Sequence, residues 1–204
     1  IYDSLLASFY VWILFLQVIL ARRLRLDIAL ILGMVIGGAI LTKSSGFFGI
    51  YLLPLFLLLI DWKKAKSNLL KFTGLSFISV LIAYGMYGVL RLSPWFYIIN
   101  QKNHEFLYSF SEISERPFAH FFGNLNGLGV WWVSYTTIPF IILLVLALLW
   151  RHSKTIKERM LFFLLFILPF CALALFGKVL YPRFILFMTL SLIPLYAFAI
   201  EKIM

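Results

Sequence analysis

Charged residues are scarce in this chain. Only 13% of its 204 residues are Asp, Glu, Lys or Arg, whereas 63% are hydrophobic, and the mean hydropathy is +1.01. Soluble domains carry about 25% charged residues, and much of the surface of a small domain stays exposed. A water-soluble fold of this size could not hide so much apolar surface, so lipid is the expected solvent.

Cysteine and histidine are also rare. The single cysteine, Cys171, lies within an apolar run and predicts no disulfide. The three histidines, His104, His120 and His152, are scattered along the chain without the spacing of metal ligands. We therefore expect no metal site and no other cofactor.

Long apolar runs dominate what is present. They cover residues 4–20, 28–41, 47–60, 70–90, 128–150, 160–176 and 184–200. The spans must be helical, because an unpaired backbone amide in hydrocarbon costs several kcal/mol, and the short alternating segments of a barrel are missing. The sequence predicts an all-α polytopic transmembrane helix bundle of about seven spans, in one transmembrane domain over residues 1–204.

The second and third runs are short for a full crossing, which needs about 20 apolar residues. They are either two tilted spans that share a tight turn or one re-entrant hairpin, and both alternatives return the chain to the same side. Gly33, Gly37 and Gly38 in the second run indicate close helix packing rather than a phosphate-binding loop.

Basic residues are distributed unequally between the two sides of the predicted bundle. Of the 18, twelve lie on one side and six on the other. The richer side has Arg22, Arg23, Arg25, Lys63, Lys64, Lys66, Lys71, Arg151, Lys154, Lys157, Arg159 and Lys202; the other has Lys43, Arg91, Lys102, Arg116, Lys178 and Arg183. The net charge of +10 is thus interpreted as a topology signal rather than as nucleic-acid binding.

The positive-inside rule makes the richer side cytoplasmic. The Asp3 end is then outside and the Met204 end is in the cytoplasm. We expect an integral protein of a bacterial or archaeal plasma membrane, with membrane lipids as its first partners.

The polar segment 93–127 is extracytoplasmic in this topology. Within it, residues 104–114 have apolar side chains at helical spacing, namely Phe106, Leu107, Phe110 and Ile113. We predict an amphipathic helix in the outer membrane interface, ended by Pro117. An interfacial anchor is the favoured role, and a lid over a lipid-linked substrate is the alternative.

Ionisable residues are almost absent from the helix centres and collect at the outer helix ends instead. Asp3, Lys43, Lys178 and Arg183 lie there, with Tyr181 beside them. Such a ring suits a polyprenyl phosphate, whose tail stays in lipid while its phosphate stays at the surface. The basic side chains could bind the phosphate, and Asp3 could hold a sugar hydroxyl or accept a proton.

The simpler interpretation of a basic residue at a helix end is snorkelling to the lipid headgroups. We favour that role for Arg91, Lys102 and Arg116. Arg183 differs, because it follows Tyr181 and Pro182 directly at the start of a span.

Short motifs occur in a defined order along the chain. They are Tyr2-Asp3-Ser4-Leu5-Leu6, Leu41-Thr42-Lys43-Ser44-Ser45-Gly46 followed by Pro54, Arg116-Pro117-Phe118 followed by Trp131 and Trp132, and Gly177-Lys178 followed by Tyr181-Pro182-Arg183-Phe184 and Pro194. In their order, their spacing and the side of the membrane on which they lie, these motifs resemble those of the GT-C membrane glycosyltransferases, above all the protein O-mannosyltransferases and the aminoarabinose transferases of lipid A.

The resemblance implies transfer of a sugar from a polyprenyl-phosphate donor to an acceptor on the extracytoplasmic side. It places Asp3, Lys43, Lys178 and Arg183 in the donor site. The family's leading acidic motif, which supplies the main catalytic carboxylate, lies upstream of the residue that matches Asp3. Because the chain starts at Ile1 rather than Met, we expect a fragment that is inactive alone.

Two other functions compete with this one. A transporter or flippase for lipid-linked sugars would share the basic outer rim, but it should also show a polar path through the bilayer and an internal repeat, which the sequence lacks. A membrane scaffold without catalysis would show no convergence of charged residues.

Overall fold

The computed structural model describes residues 2–60, 65–116, 118–150 and 155–204. This part of the chain is helical, and it contains a single isolated β-bridge, between Leu107 and Gly177, and no strand. The α-helices are α1 Tyr2–Arg23, α2 Leu26–Thr42, α3 Phe48–Tyr51, α4 Ala65–Gly88, α5 Phe96–Phe106, α6 Phe110–Glu115, α7 Phe121–Leu149, α8 Ile156–Phe176, α9 Leu186–Thr189 and α10 Ile193–Ile203. The predicted all-α class is confirmed.

Short 3₁₀ segments connect or extend several of these helices. They are Ser44–Phe47, Leu53–Leu59, Val89–Leu92, Pro182–Ile185 and Leu190–Leu192. The chain divides into two compact units, Ile1–Ser93 and Pro94–Met204, which we call unit 1 and unit 2.

Five helical segments in the described ranges are long and apolar enough to cross a membrane. They are Tyr2–Arg23, Lys66–Leu92, Phe121–Leu149, Ile156–Phe176 and Pro182–Ile203. These five match five of the predicted runs, and their composition is that of an integral membrane protein. The second and third runs correspond to shorter apolar segments, Leu26–Thr42 and Ser44–Leu59, which fall below this length.

Glycine allows α2 and α4 to pack closely in unit 1. A Cβ on Gly33 would lie 2.7 Å from the carbonyl oxygen of Ser79, and one on Gly37 would lie 2.5 Å from Sδ of Met86. The buried Ser79 hydroxyl donates a 2.8 Å hydrogen bond to the Ala29 carbonyl across the same contact. The prediction that these glycines serve helix packing is confirmed.

The segment after α2 runs back alongside α1. A Cβ on Gly46 would lie 2.5 Å from backbone atoms of α2, so the chain turns sharply there. The buried Gln17 side chain, late in α1, donates a 2.6 Å hydrogen bond to the Gly49 carbonyl. Gly49 therefore lies deeper along α1 than Lys43, which pairs with Asp3 at the start of α1.

Side chains that bond to helix ends stabilise unit 2. Asn124 donates to the carbonyls of Ala174 and Gly177 at the end of α8, at 3.1 and 2.9 Å. Arg159, only 5% exposed, donates to two carbonyls at the end of α7, each at 2.6 Å. A cation at a helix C-terminus also interacts favourably with the helix dipole. This residue, predicted to be a topology signal, is thus a buried cap.

Helix α7 is kinked near its middle. Thr137 has φ 61° and ψ 158°, in a region of backbone conformation that β-branched residues rarely adopt. Pro139 follows two residues later, and it lacks the N–H that would continue the hydrogen-bond ladder. The kink therefore has a local sequence cause.

The prediction of a single amphipathic helix over residues 104–114 is wrong, because the helix is interrupted at residues 107–109. Helix α5 ends at Phe106, and α6 begins at Phe110. Ser109 and Glu112 form a capping box that starts α6, a signal that the apolar spacing concealed. Helix α6 ends at Glu115, and Pro117, predicted to end it, lies outside the described residues.

Helix α7 begins before the predicted apolar run. Helix α7 begins at Phe121, whereas the apolar run was expected to start at residue 128. Residues 121–127 include glycine and asparagine but are helical, and Asn124 within them bonds to the end of α8.

Candidate functional site

Asp3 and Lys43 meet at one end of unit 1. Asp3 lies in the first turn of α1, and Lys43 is the C-cap of α2, where its N–H bonds to the Ala39 carbonyl at 3.0 Å. The Lys43 ammonium and the Asp3 carboxylate form an ion pair whose side chains are 26% and 25% exposed. A carboxylate at a helix start and an ammonium at a helix end both complement the helix dipoles, so the pair is stabilised from both sides.

Lys178 follows α8 and is held against the segment before α7 in unit 2. Its Nζ lies 2.8 Å from Oε1 of Glu112 and 3.4 Å from the carbonyl of His104. The same ammonium lies 5.2 Å from the centroid of the Tyr108 ring, within range of a cation–π contact. The backbone N–H of Lys178 bonds to the Phe106 carbonyl at 2.9 Å.

Glu112 is an ionised carboxylate held in place by several donors. The side chain of Lys178 lowers the pKa of Glu112 most, followed by hydrogen bonds from the Ser109 backbone and hydroxyl, to about 2. Sequence reasoning missed this residue, although the Ser109-x-x-Glu112 capping signature could have identified it.

Tyr181 and Arg183 lie together at the start of the last helical segment of unit 2. The Arg183 guanidinium carbon is 4.8 Å from the Tyr181 ring centroid. The Tyr181 ring also lies 6.4 Å from the ring of Phe106 and 5.5 Å from that of Phe184. Pro182 begins the 3₁₀ segment Pro182–Ile185, which directs the chain into α9.

The predicted site residues therefore form two groups. Asp3 and Lys43 contact each other in unit 1. Lys178, Tyr181 and Arg183 belong to unit 2, where Lys178 contacts α6 and Tyr181 contacts α5.

A cavity of about 340 Å³ lies between α6, the start of α7 and the end of α8. Its lining includes Tyr108, Glu112, Glu115, Arg116, His120 and Leu175. The rings of Tyr108 and His120 are stacked almost parallel, at 4° and a centroid distance of 5.0 Å. His120, which appears isolated in the sequence, thus lines a cavity together with polar and apolar side chains.

Metal-binding geometry is not found in the described ranges of the chain. No group of three or more His, Cys, Asp or Glu side chains there is arranged to hold an ion. Glu112, Glu115 and His120 around the cavity do not form such a group.

Comparisons with known proteins add no relative. No protein family, no curated protein and no solved structure matches this chain.

Proposed function

We propose that the chain is part of a membrane glycosyltransferase that moves a sugar from a polyprenyl-phosphate donor to an acceptor at the extracytoplasmic face. The observation that carries this proposal is the ion pair between Asp3 and Lys43. Residues far apart in the sequence place opposite charges together at one end of an apolar helix pair. That is where the phosphate and the sugar of a lipid-linked donor would lie.

The proposal includes seven spans. Helix α2 has 17 residues and is about 26 Å long at 1.5 Å per residue, close to the roughly 30 Å of a hydrocarbon core. The returning segment is partly 3₁₀, which rises about 2.0 Å per residue and so reaches further with fewer residues. The Gln17–Gly49 hydrogen bond supports a return through the bilayer rather than a shallow loop.

The chemistry assigned to the site is displacement at the anomeric carbon of the donor. The acceptor hydroxyl attacks that carbon, the bond to the polyprenyl phosphate breaks, and a carboxylate takes the hydroxyl proton. Lys43 in unit 1, and Lys178 and Arg183 in unit 2, are each assigned to phosphate binding, which would stabilise the charge on a leaving phosphate. Asp3 orients Lys43 through their ion pair and is the carboxylate assigned to a sugar hydroxyl.

Substitution of the basic residues tests the proposal. In the full-length protein, Lys43→Ala and Arg183→Ala should each abolish sugar transfer from a polyprenyl-phosphate donor. Lys102→Ala is the matched control, because Lys102 forms an exposed ion pair with Glu105, and it should transfer normally. Near-normal turnover in both site variants would overturn the proposal, and lipid flipping without transfer would favour a flippase.

The proposed orientation can be tested by labelling. In a Cys171→Ala background, Ser111→Cys should react with a membrane-impermeant maleimide on intact cells. Lys157→Cys should react only after permeabilisation. The reverse pattern would place Asp3 and Lys43 in the cytoplasm and would contradict an extracytoplasmic site.

A further inference from the structure

The cavity beside α6 has a mixed lining, in which charged and polar side chains alternate with apolar ones, and this suits neither a purely apolar lipid tail nor a bare phosphate. Tyr108 and His120 offer both donors and acceptors, Glu115 offers acceptors, and Arg116 offers donors. The apolar part of the lining consists of Ile113, Ala119, Phe121 and Leu175. A volume of about 340 Å³ is at the low end for small-molecule sites, about 300–1,000 Å³. It therefore suits one compact polar group.

The charges around the cavity balance. Glu112 and Glu115 supply two carboxylates, Arg116 supplies a guanidinium, and Lys178 neutralises Glu112 from outside the lining. An anionic or cationic ligand would leave one of these charges less well paired. An uncharged ligand rich in hydroxyls can satisfy donors and acceptors together, without disturbing the balance.

The cavity is also next to a predicted donor residue within the same unit. Lys178 contacts Tyr108 and Glu112, and both of these residues line the cavity. A group bound in the cavity would therefore lie close to a phosphate held by Lys178.

We propose that this cavity binds an uncharged, hydroxyl-rich headgroup, such as a single sugar ring, and that it is the acceptor site of the transferase. The role as acceptor site rests on the proposed function, whereas the binding of an uncharged sugar does not.

Binding can be measured without transfer. With the full chain in lipid nanodiscs, saturation-transfer difference NMR would compare methyl glucoside, glucosamine and glucose 6-phosphate. Methyl glucoside should bind at least several-fold more tightly than the two charged sugars. Equal or tighter binding of glucose 6-phosphate or glucosamine would overturn the proposal. Competition by nanodiscs that contain a glucosyl lipid would identify a lipid headgroup as the natural source, and its absence a soluble sugar.

Variants of the lining residues test whether the sugar binds in this cavity. Glu115→Gln removes one ionised acceptor and should weaken methyl glucoside binding about tenfold. Glu105→Gln is the matched control, since Glu105 lies in α5 outside the cavity lining, and it should bind normally. His120→Phe keeps a flat ring beside Tyr108 but removes the polar atoms, so it should weaken binding while thermal stability is kept. Unchanged binding in both Glu115→Gln and His120→Phe would overturn the site.

The experiments distinguish a failure of the cavity proposal from a failure of the proposed function. Transfer that depends on Lys43, with no sugar bound in this cavity, would leave the transferase proposal standing and remove the cavity from it. Sugar binding that depends on Glu115 in a protein whose Lys43→Ala variant is fully active would support the cavity and remove the donor site.

Discussion

The glycines of α2 in unit 1 and those of α7 in unit 2 have different surroundings. In unit 1, Gly33 and Gly37 leave no room for a Cβ because α4 packs directly against them. In unit 2, Gly123, Gly127 and Gly129 of α7 have nothing within 4 Å of such a Cβ in the described ranges. The motif of two glycines four residues apart is present in both helices, so it does not by itself produce a close helix contact.

Unit 2 relies on a different kind of contact. Asn124 and Arg159 each bond to two backbone carbonyls at the end of a neighbouring helix. The α2–α4 contact of unit 1 depends on backbone approaching backbone at Gly33, whereas these contacts of unit 2 depend on side chains that satisfy helix ends, which otherwise lack partners. Different substitutions should therefore weaken the two units.

The largest loss of stability is expected for a substitution where α2 packs against α4. Gly33→Leu must displace backbone atoms of α4, so the free energy of unfolding should fall by about 3 kcal/mol. Gly127→Leu, on the open part of α7, should change it by no more than about 0.5 kcal/mol. Denaturant unfolding in mixed micelles measures both. Equal losses in the two variants would show that the units do not differ in this way.

The next effect is expected at the buried cap of α7. Arg159→Met keeps most of the side-chain volume but leaves two carbonyls without their donor, and it should cost about 2 kcal/mol of unfolding free energy. Lys157→Met is the control, because Lys157 is exposed. Thermal unfolding in detergent compares them. A Lys157→Met variant as unstable as Arg159→Met would mean that the loss of positive charge, not the cap, is responsible.

A smaller effect is expected at the end of α8. Asn124→Leu removes two hydrogen bonds to half-buried carbonyls and should cost about 1 kcal/mol. Asn126→Leu changes an exposed asparagine of the same helix and should cost nothing measurable. Hydrogen exchange at residues 174–178 gives a local readout. Unchanged protection there in Asn124→Leu would contradict the capping role.

The smallest effect on stability is expected from the protonation of Glu112 at low pH. The pKa of Glu112 is lowered from 4.5 to about 2, chiefly by Lys178. Its contribution to stability is therefore complete above about pH 4.5 and is lost as the pH falls toward 2. The carboxyl NMR signal of Glu112 and hydrogen exchange in α6 should both report release in that window. Glu112→Gln should abolish this pH dependence; its persistence would assign it to another group.

The apolar runs predicted the helical class and about seven spans, and five of the seven runs form helices long and apolar enough to cross a membrane, because a long run with few charges is typical of a transmembrane helix. Prediction was poorer in the polar segment. Spacing suggested one helix, whereas the capping box of Ser109 and Glu112 and the bridge from Leu107 to Gly177 break it. The bridge joins residues 70 positions apart in the sequence, so no local pattern could reveal it.

The sequence by itself determined the composition typical of a membrane protein, the helical class and the helix ends at which Asp3, Lys43, Lys178 and Arg183 lie. These follow from composition and periodicity, which are local properties. Only the tertiary structure decided that Lys43 pairs with Asp3, that Lys178 pairs with Glu112, and that His120 borders a cavity. Such partnerships depend on which distant segments pack together, and packing is decided by shape and burial across the whole unit.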